Sequence, residues 1–215
     1  MERMPIKKCV YVVATPGWQS AMCDITLPNL KAYADRIRAD FRLITERKYP
    51  EWPAEYEKHQ IHELGRDYDW NISMDADMLV RPDIDDFTSW HPPHYVGNWW
   101  FYDIRAVIDV EKDPYFSRDG RYYGLVECLI ATSKFTHELW EPLPGKFEDY
   151  RPVFKDGYTR RISEYNLSRN LAKYGLKISG IMRKREDFFH INLTTDDIRK
   201  PEDVALAKLK EWGVR

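Results

Sequence analysis

The stretch that decides the fold is W-N-I-S-M-D-A-D-M-L-V, residues 70–80. Its first five residues are mostly apolar, which predicts a buried strand over 70–74 that runs directly into the acidic positions. In an extended backbone, side chains at positions i and i+2 point to the same face, so Asp75 and Asp77 converge on one site. Ligands of open α/β sheets bind outside the carboxyl ends of strands, where these two acids stand.

The chain before this stretch alternates between strand and helix. The apolar, β-branched run at 9–14 ends at a Pro-Gly pair and predicts the first strand. Apolar residues at helical spacing predict a helix over 28–39, and a second strand at 41–45 and a helix at 52–66 follow. This succession is typical of right-handed crossovers between parallel strands.

The chain after residue 80 begins with an irregular region, 83–123, that is dense in aromatic residues. The patterns beyond it predict strands at 125–132, 177–181 and 188–193, and helices at 134–140, 162–174 and 201–212. With no repeat or linker, we predict one α/β domain over 1–215, with a mixed, mostly parallel central sheet flanked by helices and a Rossmann-like N-terminal half.

Composition and charge limit the function classes. A net charge of -2 gives no reason to expect nucleic acid or an anionic membrane surface as the main partner. No segment approaches the ~20 apolar residues of a membrane span, and the polar first eight residues do not resemble a signal peptide. The 3 cysteines are widely spaced, so we expect reduced thiols and a cytoplasmic location.

The paired acids predict a metal site. Two carboxylates this close together repel each other unless a cation lies between them, and hard divalent cations prefer oxygen ligands. The alternative is that Asp75 and Asp77 serve only as turn or capping acids. Their position after a buried strand and before L-V-x-P-D favours the metal site.

The segment D-A-D-M-L-V-R-P-D-I, residues 75–84, resembles the D-x-D segment of nucleotide-sugar glycosyltransferases with the GT-A fold, especially those of family eight. The resemblance implies transfer of a sugar from a nucleotide-sugar, UDP-linked, to a glycan or other hydroxyl acceptor. It implies that Asp77 chelates the Mn²⁺ or Mg²⁺ that bridges the donor diphosphate, and that Asp75 contacts the ribose and shares the metal. Residues 1–80 would then bind the nucleotide and 81–215 the acceptor.

The same resemblance assigns a third metal ligand. His190, in F-F-H-I-N at 188–192, lies beyond the last predicted core strand, as does the C-terminal metal-binding His of that family. A nitrogen ligand favours Mn²⁺ over Mg²⁺. The alternative is a structural histidine. The H-x-x-G-x-x-K tail of the family is missing, which leaves three candidates for the cation that binds the diphosphate: Arg183, Lys184 and Lys200.

A further acid is expected at the start of a helix, in R-R-I-S-E-Y-N-L at 160–167. Related enzymes carry there an acidic residue that faces the reacting sugar, so the resemblance assigns this role to Glu164 and places Asn166 near the donor. In an inverting enzyme Glu164 would be the general base for the acceptor hydroxyl. In a retaining enzyme it would orient the donor or stabilise positive charge at the anomeric carbon. The alternative is an acid that the helix dipole favours in the first turn.

Three other residues are assigned to the nucleotide by the resemblance. Thr15 follows the first strand, where the base and ribose lie, and Trp18 could stack on the base. Lys58, on the helix before the D-x-D strand, is near a common nucleotide contact.

Two rival functions share some of these features. A haloacid-dehalogenase-type phosphohydrolase also places D-x-D after a strand, but its nucleophilic first Asp is usually near the N-terminus and its motif continues to Thr or Val. Here Met78 and Leu79 follow. A non-catalytic sugar-binding module would explain the aromatic share of 14%, but not the paired acids or His190.

Overall fold

The computed structural model describes residues 5–16, 20–181, 186–191 and 200–214. The strands are β1 Lys8–Val13, β2 Asp40–Ile44, β3 Trp70–Asp75, β4 Met78–Val80, β5 Tyr95–Asn98, β6 Phe101–Asp103, β7 Tyr123–Leu125, β8 Leu129–Ser133, β9 Lys177–Gly180 and β10 Phe188–His190. The α-helices are α1 Ser20–Arg36, α2 Ile61–Leu64, α3 Pro114–Asp119, α4 Phe147–Tyr150, α5 Ile162–Lys173 and α6 Pro201–Glu211. Short 3-10 helices connect them, the longest being Ala54–Gln60.

The central sheet has six strands in the order β2-β1-β3-β8-β5-β9. Strands β2, β1 and β3 pair in parallel, β8 runs antiparallel to both β3 and β5, and β9 is again parallel to β5. Five of the strands therefore point the same way. The predicted α/β class with a mixed, mostly parallel sheet is confirmed.

The sheet is covered on both faces, which explains why its strands are apolar throughout. Val10 and Met74 pack on the side of α1, in one cluster with Leu30. Tyr11 lies on the opposite side, in a cluster with Leu167 of α5. In the part of the chain that the structure describes, no helix combines the length and apolarity needed to cross a bilayer.

The antiparallel strand β8 determines what lies at the carboxyl edge of β3. Because β8 runs in the opposite direction, its first residues lie beside the last residues of β3, with Met74 opposite Leu129. The backbone N–H of Asp75 donates to the carbonyl of Cys128 over 2.9 Å. The loop before β8 therefore meets the end of β3.

The first helix starts earlier than predicted. Pro28 was expected to open it, but α1 begins at Ser20 and contains Pro28 in its interior. The turns before the proline are held by burial of Met22 and Thr26, and the Thr26 hydroxyl donates to the carbonyl of Ala76. These are contacts between residues distant in the chain, so the mostly polar sequence before Pro28 did not indicate a helix there. The segment predicted as a helix over 52–66 is mostly the 3-10 helix Ala54–Gln60, continued by α2.

Two predictions after residue 80 were wrong. The region 83–123 contains β5, a central strand, although Gly97 and Asn98 disfavour strands locally. The small residue is required there, because a Cβ on Gly97 would lie 2.9 Å from Cγ1 of Ile181. The apolar run 125–132 is not one strand: β7 ends at Leu125, β8 begins at Leu129, and the two belong to different sheets.

Candidate metal centre

Three chain segments form the candidate metal centre. Asp75 is the last residue of β3, and Asp77 lies in the turn before β4. His190 ends β10, where it lies opposite Met78 in the antiparallel pairing of β10 with β4. The N–H of Ile191 donates to the carbonyl of Asp77 over 3.0 Å, which ties β10 to the turn.

The side-chain atoms of the three residues converge. Nε2 of His190 lies 3.3 Å from Oδ2 of Asp75 and 3.2 Å from Oδ1 of Asp77. One ligand atom from each residue lies within 4.8 Å of the other two. Neighbouring ligands of an octahedral ion with bonds of about 2.1 Å lie roughly 3 Å apart, so these spacings suit a divalent cation. The structure thus brings the three predicted ligands together.

Lys58 compensates part of the negative charge. It is almost fully buried, its Nζ contacts Oδ1 of Asp75, and it lies 3.5 Å from Oε2 of Glu127. Burial opposes the charged ammonium, but the charges of Asp75 and Glu127 outweigh it and raise the pKa of Lys58. Burial likewise opposes ionisation of Asp75, but Lys58 and His190 outweigh it and lower the pKa of Asp75.

Ionisation of the other two acids, Asp77 and Glu127, is disfavoured. Burial and, after it, the charge of Asp75 raise the pKa of Asp77. Burial raises the pKa of Glu127 to about 7, with Lys58 opposing the shift and Asp75 adding to it. One lysine therefore faces three carboxyl groups, and a divalent cation at the centre would favour their ionised forms.

These residues line one cavity of about 260 Å³. Seven of its lining residues are polar or charged: Thr15, Glu55, Lys58, Asp75, Asp77, Glu127 and His190. The cavity thus holds all three candidate metal ligands and two of the residues that the resemblance assigned to the nucleotide, Thr15 and Lys58. Beside it, the ring of Trp99 stacks on His190 with centroids 6.2 Å apart.

Glu164 and Asn166 do not share one site. Oε2 of Glu164 accepts hydrogen bonds from the hydroxyl of Tyr102 at 2.9 Å and from Nη1 of Arg161 at 2.8 Å. Asn166 is fully buried, and its Nδ2 donates to the hydroxyl of Tyr56 at 3.2 Å. On an α-helix, residues two positions apart differ by about 200° in direction, so both cannot face the same ligand.

The structure therefore places Asn166 in a buried network rather than among the residues that line the cavity. Glu164 is also not a lining residue, and neither is Tyr102, to which it is hydrogen-bonded. Lys200, a diphosphate candidate, is exposed just before α6. Trp18, Arg183 and Lys184 lie outside the described residues.

Glu127 is a charged cavity residue that sequence reasoning missed, as it also missed the exposed Glu55. It lies between β7 and β8, at the edge where β3 ends. A signal was present: Glu127 is the one charged residue within the apolar run 125–132. A charged residue in such a run is rarely buried without a partner or a function.

No family model matches the chain, and no curated protein matches its sequence. Among solved structures, the chain is similar to a glycosyltransferase involved in the glycosylation of the major capsid of PBCV-1, with 9% identity and a TM-score of 0.49. That alignment covers 94% of this chain and 99% of the other.

Two further solved structures are similar over less of their own length. One is the galactosyltransferase LgtC in complex with donor and acceptor sugar analogs, with 14% identity and a TM-score of 0.39, covering 73% of this chain and 70% of the other. The other is a mutant of Drosophila β-1,4-galactosyltransferase 7 in complex with manganese, UDP-Gal and xylobiose, with 11% identity and a TM-score of 0.47, covering 91% and 76%.

All three similar structures are glycosyltransferases. Their TM-scores lie below 0.5, so the similarity does not establish the activity of this chain. Membership of family eight stays a prediction. The case for function depends on the residues of the cavity.

Proposed function

We propose that this chain is a metal-dependent glycosyltransferase, which moves a sugar from a UDP-linked nucleotide-sugar to a hydroxyl group of a glycan or glycoconjugate. The observation that carries the proposal is the convergence of Asp75, Asp77 and His190 in one cavity at the carboxyl edge of parallel strands. In α/β proteins this edge is where ligands bind.

The donor set suits the proposed cofactor. Two carboxylates and one imidazole would hold Mn²⁺ or Mg²⁺, and the nitrogen favours Mn²⁺. A cation bound there supplies Lewis acidity to the diphosphate leaving group. The protein prepares one ligand in advance, because Lys58 keeps Asp75 ionised. Thr15 lines the same cavity and would contact the nucleotide.

Glu164 is proposed to act on the reacting sugar, although it does not line the cavity in this structure. Hydrogen bonds from Tyr102 and Arg161 to the same oxygen, Oε2, fix the orientation of its carboxylate. If the reaction inverts the anomeric carbon, Glu164 takes the proton of the acceptor hydroxyl. If the reaction retains the configuration, Glu164 orients the donor.

The division of the chain into a nucleotide half, 1–80, and an acceptor half, 81–215, belongs to the same proposal. The cavity draws on both: Thr15, Lys58 and Asp75 come from the first half, and Glu127 and His190 from the second. The cytoplasmic location and the absence of a nucleic-acid partner stay predictions.

One assay separates this function from its rivals. The protein is incubated with Mn²⁺ and either UDP-glucose or UDP-galactose, and released UDP is measured, with EDTA as the control. Metal-dependent UDP release supports the glycosyltransferase. Phosphate release from p-nitrophenyl phosphate without UDP release would support the phosphohydrolase instead, and binding without turnover would support the sugar-binding module.

The phosphohydrolase is disfavoured by the surroundings of Asp75. That enzyme would use this carboxylate as its nucleophile, but Oδ1 of Asp75 contacts Lys58 and Oδ2 lies 3.3 Å from His190. Each oxygen of the Asp75 carboxylate therefore has a polar neighbour. The arrangement suits a ligand that is held in place.

A further inference from the structure

We propose that two copies of this chain form a dimer through the exposed face of α6, with the two α6 helices antiparallel across a two-fold axis between Leu206 and Ala207. No residue of α6 lines the cavity of the candidate metal centre, so the dimer is independent of the proposed function. The proposal rests on an apolar centre that lies between an acid and a base in a self-complementary order.

Four exposed residues share one side of α6, which we call the α6 face. They are Asp203, Leu206, Ala207 and Lys210. With 3.6 residues in each turn of an α-helix, these four positions lie within about 100° of one another around the helix axis. Val204 and Ala205 point the other way and are buried in one cluster with Met22 of α1. The inner side of α6 therefore packs on the fold, and the α6 face is left to solvent.

The centre of the α6 face is apolar. Leu206 is 53% exposed, which is unusual for a leucine in the middle of a helix that packs on the core. Beside it, apolar residues of α6 and α1, among them Leu209, Ile25 and Pro28, line a groove of about 510 Å³. Removal of such apolar surface from water favours association, and an exposed apolar patch with a polar rim is typical of a protein interface.

The charges on the α6 face are self-complementary. Asp203 and Lys210 lie about 10 Å apart along the helix, at equal distances from the point midway between Leu206 and Ala207. A two-fold axis through that point sets Asp203 of one copy opposite Lys210 of the other, and it does so twice. Neither side chain has an ion pair within the part of the chain that the structure describes.

The order of the charges selects a second copy in the antiparallel direction. In a parallel pairing of the two helices, Asp203 would face Asp203 and Lys210 would face Lys210, and like charges opposite each other oppose association. In the antiparallel pairing each copy presents the same patch to the other, as in most two-fold dimers. One helix and its flank form a small interface, so we expect a weak dimer that depends on concentration.

The test measures mass in solution. Sedimentation equilibrium is recorded from about 1 to 300 µM, a range suited to a small interface. The proteins are the wild type, Leu206→Glu, Lys210→Asp, and a double variant that combines Asp203→Lys with Lys210→Asp. Phe135→Glu is the matched control, because Phe135 is 51% exposed, much like Leu206, but does not belong to α6. Thermal unfolding verifies that each variant is folded.

We expect the wild type to dimerise in the micromolar range. Leu206→Glu should raise the dissociation constant at least about tenfold, because it places a charge in the apolar centre. Lys210→Asp should do the same, because it sets two acids opposite each other on both sides of the axis. The double variant exchanges the two charges, so its dissociation constant should return to within about threefold of the wild type. The control should match the wild type.

Three results would overturn the inference. A wild type that stays monomeric over the whole range would leave the α6 face to a different protein or to a lipid surface. A dimer that neither Leu206→Glu nor Lys210→Asp weakens would lie elsewhere on the molecule. A folded double variant that dimerises no better than Lys210→Asp would rule out the antiparallel pairing. None of these results affects the proposed function, which the release of UDP tests separately.

Discussion

Nε2 of His190 lies 3.3 Å from Oδ2 of Asp75, although 115 residues separate the two in the chain. The pairing of β10 with β4 makes this approach possible, because it sets His190 opposite Met78, the residue after Asp77. The candidate metal centre is therefore a product of the small two-stranded sheet as much as of the central one. Damage to either should appear as loss of metal affinity.

Removal of Asp77 tests the metal assignment. Asp77→Ala deletes a buried carboxylate 3.2 Å from His190. Turnover of the nucleotide-sugar should fall on the order of a hundredfold or more, as when a preorganised stabilising group is lost. Mn²⁺ binding by calorimetry and UDP release are the measurements. Asp83→Ala, an exposed acid paired with Arg81, is the control. Near wild-type turnover in Asp77→Ala would refute the assignment.

Replacement of Lys58 should lower the stability of the folded protein. Lys58→Met leaves the partly buried carboxylates of Asp75 and Glu127 without their cation, which costs about 3 kcal/mol in the free energy of unfolding, the lower end of the range for a buried pair. Urea denaturation measures the loss. Lys173→Met, which breaks the more exposed pair with Glu141, should cost only about 0–1 kcal/mol. Equal losses in the two variants would show that Lys58 is not a buried counterion.

Glu164→Gln tests the acid on α5. The variant keeps the size of the side chain, so Tyr102 still has an oxygen to bond. If Glu164 is the general base, kcat should fall about 10²–10⁴-fold, while binding of UDP and Mn²⁺ stays unchanged. Steady-state kinetics and calorimetry separate the two effects. Unchanged kcat would remove Glu164 from the chemistry.

The stability of the fold should depend on pH through His59. Burial lowers the pKa of this histidine from 6.5 to about 3. The folded state thus favours the neutral ring, and the resulting stability is complete above pH 6.5 and is lost as the pH falls below it. The slope for this one group is about 1.4 kcal/mol per pH unit, or roughly 2 kcal/mol between pH 6.5 and 5.

Urea denaturation across this pH range measures the slope. His59→Gln should reduce it without abolishing it, because burial also lowers the pKa of His91. The exposed His94 supplies the control, and His94→Gln should leave the slope as it is. The raised pKa of Glu127 favours folding as the pH falls through the same range, so the test is the difference between variants. Equal slopes in the wild type and His59→Gln would contradict the prediction.

Two glycines in paired strands give a packing test. A Cβ on Gly97 of β5 would lie 2.9 Å from Cγ1 of Ile181 and 3.0 Å from Nε2 of His91, whereas a Cβ on Gly180 of β9 meets nothing within 4 Å. Gly97→Ala should therefore lower the free energy of unfolding by about 1–3 kcal/mol. Gly180→Ala should be close to neutral. Thermal unfolding of both variants checks the contrast, and equal stability would argue against the tight contact.

Local patterns were sufficient where an element carries its own signal. The apolar runs predicted β1, β2 and β3, and the helical spacing and the glycine after it predicted α5. Gly175 has a φ of 62°, in the left-handed region that is common for the residue just after a helix. Local patterns failed where the neighbouring strands determine the secondary structure. Strand β5 is four residues long and contains Gly97, and it is a strand because β8 and β9 pair with it on either side.

The candidate site divides in the same way. The sequence by itself determined that Asp75 and Asp77 stand together where a buried strand ends, because only one residue separates them, although Asp77 lies in the turn after β3 and not in the strand. Only the tertiary structure decided that His190, Lys58 and Glu127 join them and that Asn166 does not. The direction of β8, the pairing of β10 with β4 and the rotation of α5 set those positions. These are long-range contacts, and no local pattern contains them.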